Sequence, residues 1–143
     1  MKFDKDESAG YLVNHMARLF AKGLQERIAP LGIVIGQFPI LLELWQKDGV
    51  SQKELLENLD VEQATLANTL NRMERDGLIK RTKHPADARI QQIWLTDLSK
   101  QIQGDAYQAA HTQNEVSLAV LEEAERSQLM HLMRRIIDGM RTK

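Results

Sequence analysis

Cysteine is absent from the 143 residues. That excludes a disulfide framework, a thiol nucleophile and any switch that works by oxidising a thiolate. No apolar run approaches the roughly 18 residues needed to cross a bilayer. The opening stretch, MKFDKDESAG, is charged and lacks the apolar centre of a secretory signal. A cytoplasmic location with no membrane partner is therefore expected. Internal repeats and low-complexity tracts are also missing. What remains, 43% hydrophobic and 27% charged residues, has the proportions of one ordinary globular domain with a real core.

The motifs of catalysis are missing too. There is no nucleophile elbow, no glycine-rich phosphate loop and no carboxylate pair with an evident cleft. The four histidines, His15, His84, His111 and His131, show no helical zinc spacing and have no cysteine to assist them. No enzymatic activity, metal or cofactor is expected. Nor is there a large excess of one charge, since the net value is −1. The distribution is uneven, however. Residues 1–60 carry 7 Lys/Arg and 9 Asp/Glu, residues 101–143 carry 5 and 6, and residues 61–100 carry 7 and 5. Arg72, Arg75, Lys80, Arg81, Lys83 and Arg89 cluster in that one positive stretch. Local charge, not the total, neutralises phosphates.

The positive stretch lies in the most structured pattern of the chain, residues 51–96. Ser51-Gln52-Lys53-Glu54 has the form of a capping box and opens a two-turn helix with Leu55, Leu56 and Leu59 inward. Asp60-Val61 makes a tight turn. A longer helix over Glu62–Asp76 follows, with Leu66, Leu70 and Met73 as its buried stripe. Its other face holds Gln63, Thr65, Asn68, Thr69 and Arg72, side chains that suit base edges and phosphates. Gly77 stands where a left-handed cap belongs. Leu78–Thr82 and Ile90–Leu95 read as the strands of a hairpin. The seven residues between them, Lys83 to Arg89, make a long tip of the kind that reaches along DNA and puts Arg89 in a minor groove. Asp87 can hold Arg89, or an arginine of the preceding helix, through a charge-assisted bond. The segment reads as a winged helix-turn-helix whose third helix fits a major groove of double-stranded DNA.

Helices flank it. One runs from about Ser8 to Ile28, with Leu12, Met16, Leu19, Phe20 and Leu24 at helical steps and Pro30 and Gly32 beyond its end. Gln37–Gln46 is apolar on most sides and so reads as buried. Past the wing, Thr96 or Asp97 caps a long helix to about Val120. Glu122–Met140 forms the last, with a stripe of Leu129, Leu132, Met133, Ile136, Ile137 and Met140 that nothing in so small a domain obviously covers.

The order of these elements, with Ser51-x-x-Glu54-Leu55, Thr65–Arg72, Arg75-Asp76-Gly77-Leu78-Ile79, Asp87-x-Arg89 and Leu95-Thr96, resembles the MarR family of transcriptional regulators over almost the whole chain. The resemblance implies a mainly α fold with a small β-hairpin wing. It implies one domain, 1–143, with a DNA-binding lobe at 36–96 and dimerisation helices at 8–30 and 97–141. It further implies a homodimer on a roughly palindromic site, and a small, often aromatic or phenolic, effector bound between the dimer helices and the DNA-binding lobe. On this basis Ser51, Gln52, Gln63, Thr65, Asn68, Thr69, Arg72, Lys83, Asp87 and Arg89 are the candidate DNA contacts. His15, Arg18, Leu19, Phe38, Leu41 and Trp45 are the candidate ligand contacts. Three positions depart from the family pattern. Asp60 stands where glycine is frequent and Asn68 where a basic residue is frequent, while Leu98-Ser99 replaces a glycine, so that a regular start to the long helix is expected. Two functions stay open on the residues: a dimeric DNA-binding regulator, in the first instance a repressor, or a winged-helix module that docks its basic segment on a protein partner.

Overall fold

The protein is described here by a computed structural model covering residues 1–142. Its elements are α1 (Ala9–Ile28), α2 (Phe38–Gln46), β1 (Val50–Ser51), α3 (Gln52–Leu59), α4 (Gln63–Arg75), β2 (Ile79–Lys83), β3 (Gln91–Leu95), α5 (Asp97–Gln101), α6 (Gln103–Ser117) and α7 (Glu123–Arg141). The fold is mostly helical with a small antiparallel sheet, as expected.

Local chemistry sets most of the boundaries. Ser8 caps α1 by accepting the Tyr11 amide at 3.3 Å. The capping box of α3 is complete: the Glu54 amide donates to Ser51 Oγ at 3.1 Å, and the Ser51 amide donates to Glu54 Oε1 at 3.3 Å. The Ser51 amide, and beside it Lys47, hold the Glu54 carboxyl below its ordinary value. At the end of α4, Gly77 takes φ +77°. Its amide bonds the Glu74 carbonyl, and the Leu78 amide bonds that of Met73, the paired bonds of a Schellman motif. The core gathers under α2, α3, α4 and the sheet, with Leu41, Leu55, Leu70, Met73 and Ile93 fully buried.

Two features differ from the sequence expectation. First, the sheet has three strands, ordered β1-β3-β2. Val50 pairs with Ile93, and β2 pairs with β3 from Ile79↔Leu95 to Lys83↔Gln91. A strand of two residues has no periodicity to read, and its pairing is decided by β3. Second, the long helix after the wing is broken. Ile102, at φ −89° and ψ −3°, separates α5 from α6, and α6 ends at Ser117 rather than near Val120. The start itself, across Leu98-Ser99, is the regular one expected, with Thr96 Oγ1 accepting the Ser99 amide at 3.3 Å; the break follows it. The buried Ser99 hydroxyl donates to the Leu78 carbonyl, tying the first turn to the sheet. The Ser99 carbonyl accepts the Trp45 indole N–H at 3.1 Å, which competes with the helical bond that carbonyl would otherwise receive.

α1 packs along α6. Gly23 makes the approach possible, since a Cβ there would lie 2.4 Å from the Gln113 side chain. Gln113 is buried and bridges the helices: it accepts from Arg27 Nε at 3.0 Å and donates to Ser117 Oγ at 2.8 Å. α7 carries the apolar stripe read from the sequence. Much of it is exposed, from 39% at Leu132 to 70% at Met140. Leu12, Val13, Met16 and Leu19 of α1 are exposed as well.

Candidate nucleic-acid interface

α4 turns Leu66, Leu70 and Met73 inward, which leaves Gln63, Thr65, Asn68 and Arg72 on the exposed side. Thr69 is half-buried and spends its hydroxyl on the Thr65 carbonyl at 2.8 Å. The helix is braced at its far end. Buried Gln37 donates to Asp76 Oδ2 at 3.0 Å and accepts the Val34 amide at 3.0 Å, so the segment before α2 is tied to the last turn of α4. Arg75 first, and then Gln37, hold the Asp76 carboxyl below its ordinary value.

The tip of the hairpin is a built turn. The His84 amide bonds the Ile90 carbonyl at 2.8 Å, and the Ile90 amide bonds that of Asp87 at 3.0 Å. Asp87 accepts three bonds from Arg89, one from its amide and two from its guanidinium, each 3.0 Å long. Of the two partners the sequence left open for Asp87, the structure thus selects Arg89 over an arginine of α4. These bonds hold the Asp87 carboxyl below its ordinary value. Arg89 remains 90% exposed, so the pairing aims the guanidinium without burying it.

Between the first turn of α3 and this tip lies an open groove lined by Ser51, Gln52, Lys53, Lys83, Ala88, Arg89, Ile90 and Gln91. Four of the expected DNA residues, Ser51, Gln52, Lys83 and Arg89, border it, and Lys53 joins them. The sequence reading missed Lys53, although its place in the first turn after the Ser51 cap was a usable signal. Ser51 is half-committed, because its hydroxyl serves the capping box.

The six clustered cations are not equivalent. Arg75 pairs with Asp76 at 3.1 Å. Arg81 donates to Asn71 at 2.8 Å and to Glu74 at 2.9 Å, stapling β2 to α4. Strand alternation places Lys80 beside Trp94 on the opposite face of the sheet, away from α4. Among the described residues only Arg72, Lys80 and Lys83 of the six have no ion-pair partner.

The six residues expected to share a ligand cavity are not brought together. Leu41 is fully buried in the core. Trp45 is locked by Ser99 and stacks edge-on between Phe38 and Tyr107, at 6.1 and 5.4 Å. His15, Arg18 and Leu19 lie on the exposed face of α1. Helical spacing put His15 and Leu19 beside Met16, but their direction depends on how α1 rolls on α6, which spacing does not fix. Phe38 alone borders a cavity of about 270 Å³ between α1, α2 and α6, which Phe20, Leu24, Leu42, Ala110 and Gln113 also line. Gln113, absent from the sequence reading, gives that cavity its buried amide. Among the described residues no three His, Asp or Glu side chains gather as a metal site, and no single helix is long and apolar enough to cross a membrane.

Two short helices, a third with a solvated polar face, and a hairpin wing define a winged helix-turn-helix protein. The sequence model of the MarR family matches residues 33–90. Transcriptional regulator HosA of Escherichia coli O111:H- is 32% identical over 72% of this chain and 76% of its own length. HTH-type transcriptional regulator TtmR of Methylorubrum extorquens (strain PA1) is 28% identical over 82% of this chain, and the match spans only 60% of TtmR. The PcaV transcriptional regulator of Streptomyces coelicolor, solved with its natural ligand, superposes with a TM-score of 0.87 at 22% identity, over 98% of this chain and 99% of its own. A MarR family regulator from Listeria monocytogenes, solved with a 26mer DNA, superposes at 0.84 with 19% identity, over 99% and 91%. The chain belongs to the MarR family. It is a DNA-binding transcriptional regulator, and the family's members are regulators rather than enzymes.

Proposed function

We propose that the protein acts as a homodimer on a roughly palindromic operator, as a repressor that a small aromatic-type ligand releases. The observation that carries this reading is the segregation of the surface. Gln63, Thr65, Asn68 and Arg72 of α4, and the groove between Ser51-Gln52 and Lys83-Arg89, present donors and cations, while the exposed sides of α1 and α7 present apolar stripes. In this reading residues 36–96 form the DNA-binding lobe, and 8–30 with 97–141 form the dimer lobe of a single domain. α4 enters a major groove and Arg89, held by Asp87, enters the adjacent minor groove. Thr69, whose hydroxyl proton goes to the Thr65 carbonyl, offers DNA its hydroxyl lone pairs and methyl group rather than a donor.

The ligand reading rests on the cavity beside Phe38, an apolar wall with one buried amide from Gln113. Such a mixture suits a flat apolar ligand with one polar handle. PcaV, of the same fold, is solved with a natural ligand. His15, Arg18 and Leu19 belong to the face of α1 that a second subunit would cover. A regulator of transcription works where the DNA is, and a cytoplasmic location fits that role.

A salt titration of binding to random duplex DNA tests the reading. Affinity should fall steeply as salt rises, because neutralised phosphates release counterions. Binding that is absent or indifferent to salt overturns it and favours a protein partner for the basic segment.

A further inference from the structure

Three features of the turn between α3 and α4 bear on how it is held. Asp60 has φ +54° and, among the described residues, is the only non-glycine with positive φ. That region is disfavoured for a residue with a Cβ, although aspartate tolerates it better than most. The helix that follows has no side-chain cap, since Glu62 at its N-cap position accepts no amide. Finally, the turn is gripped from a distant part of the chain. Arg141, the last residue of α7, places Nε 2.9 Å from Asp60 Oδ2 and donates through a second nitrogen to the Glu57 main-chain carbonyl at 2.6 Å. Glu57 lies in the last turn of α3, where carbonyls lack helical partners. One planar guanidinium therefore closes the end of α3 and holds the left-handed residue at the same time.

The other end of α7 is anchored elsewhere. Arg126 donates to the Leu118 carbonyl and pairs with Glu115 of α6, both at 3.0 Å. Leu129, Met130 and Met133 share a small apolar cavity with Met16 and Phe20 of α1. α7 thus runs as one rod from α1 and α6 to the turn that begins the recognition helix.

We propose that Arg141 is a positioning residue for α4: it sets the α3–α4 turn, so that the placement of α7 on α1 and α6 is felt at the N-terminal end of the recognition helix. The inference rests on the reading of α4 as the helix that enters DNA. The pair is exposed, 46% at Arg141 and 57% at Asp60, and exposed pairs contribute little to global stability. Its action is directional. Two bonds from a rigid fork fix an orientation that a lysine, with one point charge, does not.

Amide hydrogen exchange on the full-length, DNA-free protein is the first arm of the test. Arg141→Gln and Arg141→Lys should each speed exchange at the Asp60 and Leu66 amides about three- to fivefold, the scale of an exposed ion pair. The amides of α1 should not change. Unchanged turn amides in both variants overturn the proposal, as does an equal acceleration in α1, which would mean general loosening. The second arm is duplex affinity. Both variants should lose a similar factor with the same slope of log affinity against log salt. A slope shallower by about 0.9 would mean that Arg141 neutralises a phosphate itself, and overturns the positioning role. Asp60→Gly should shrink the effect of Arg141→Gln to the part carried by the Glu57 carbonyl bond, and an additive cycle overturns the proposal. Failure of the wild-type protein to bind duplex would sink the DNA reading alone, with the exchange arm still deciding whether Arg141 holds the turn.

Discussion

Gly49 and Gly77 offer a paired perturbation whose two costs can be separated. Both have positive φ, +73° and +77°. Alanine at either position pays the left-handed penalty of about 1–2 kcal/mol. At Gly77 that is the whole cost, because a Cβ there meets nothing within 4 Å. At Gly49 the new Cβ would come within 2.5 Å of the Trp94 ring. That ring cannot swing away freely, since its Nε1 donates to Thr82 Oγ1 at 2.9 Å. Either the indole bond breaks or the turn before β1 opens, an overpacking cost of about 1–3 kcal/mol. Gly77→Ala should therefore destabilise by about 1–2 kcal/mol, and Gly49→Ala by about 2–5 kcal/mol. Urea unfolding at one fixed protein concentration measures both, since the apparent stability of an oligomer depends on concentration. Tryptophan fluorescence should shift more for Gly49→Ala, in which Trp94 is displaced. If the two variants agree within about 0.5 kcal/mol, Trp94 does not press on Gly49 and the account of the sheet's outer face is wrong.

Arg89→Ala should weaken duplex binding roughly tenfold or more while sedimentation shows the same assembly state as the wild type; equal loss of both would make the wing structural. Removing residues after Val120 deletes α7 with its exposed stripe, and a monomer is expected from size-exclusion chromatography. A stable dimer of residues 1–120 would contradict the role given to that stripe. The Asp87 carboxyl is held below its ordinary value of 3.8, first by the Arg89 side chain and then by the Arg89 amide. A depressed value means that the stabilising pair is complete above the ordinary value and is lost only as pH falls through the lower, folded one. The Arg89 Nε–H resonance should therefore stay constant from about pH 8 to 5 and move only below about pH 4; a midpoint near pH 6 would show that another group governs the tip.

Much of the DNA-binding lobe was legible because its signals are local. The Ser51–Glu54 capping box, the cap at Gly77, the Thr96 cap and the Asp87-x-Arg89 tip each act within a few residues, and each forms with the partners its spacing implied. The apolar stripes of α4 and α7 were legible because helical periodicity needs only the chain itself. The misses involve partners far away in sequence. β1 exists because Val50 meets Ile93, and α5 parts from α6 where Ser99 is held by Leu78 and Trp45. Arg81 left the basic cluster for Glu74 and Asn71 where β2 meets α4, and the ligand set dispersed once α1 chose which side to press on α6.

The residues alone were enough to specify a helix-turn-helix with a wing, where α3 and α4 stop, and which face of α4 is polar. Those features follow from backbone bonds and side-chain periods that act over a turn or two. Tertiary structure alone decided which arginines stay free, which side chains line a cavity, and that Arg141 reaches the Glu57 carbonyl across 84 residues to hold the Asp60 turn. Those are meetings between surfaces, and the direction in which two helices face each other is set by the packing of all their neighbours at once.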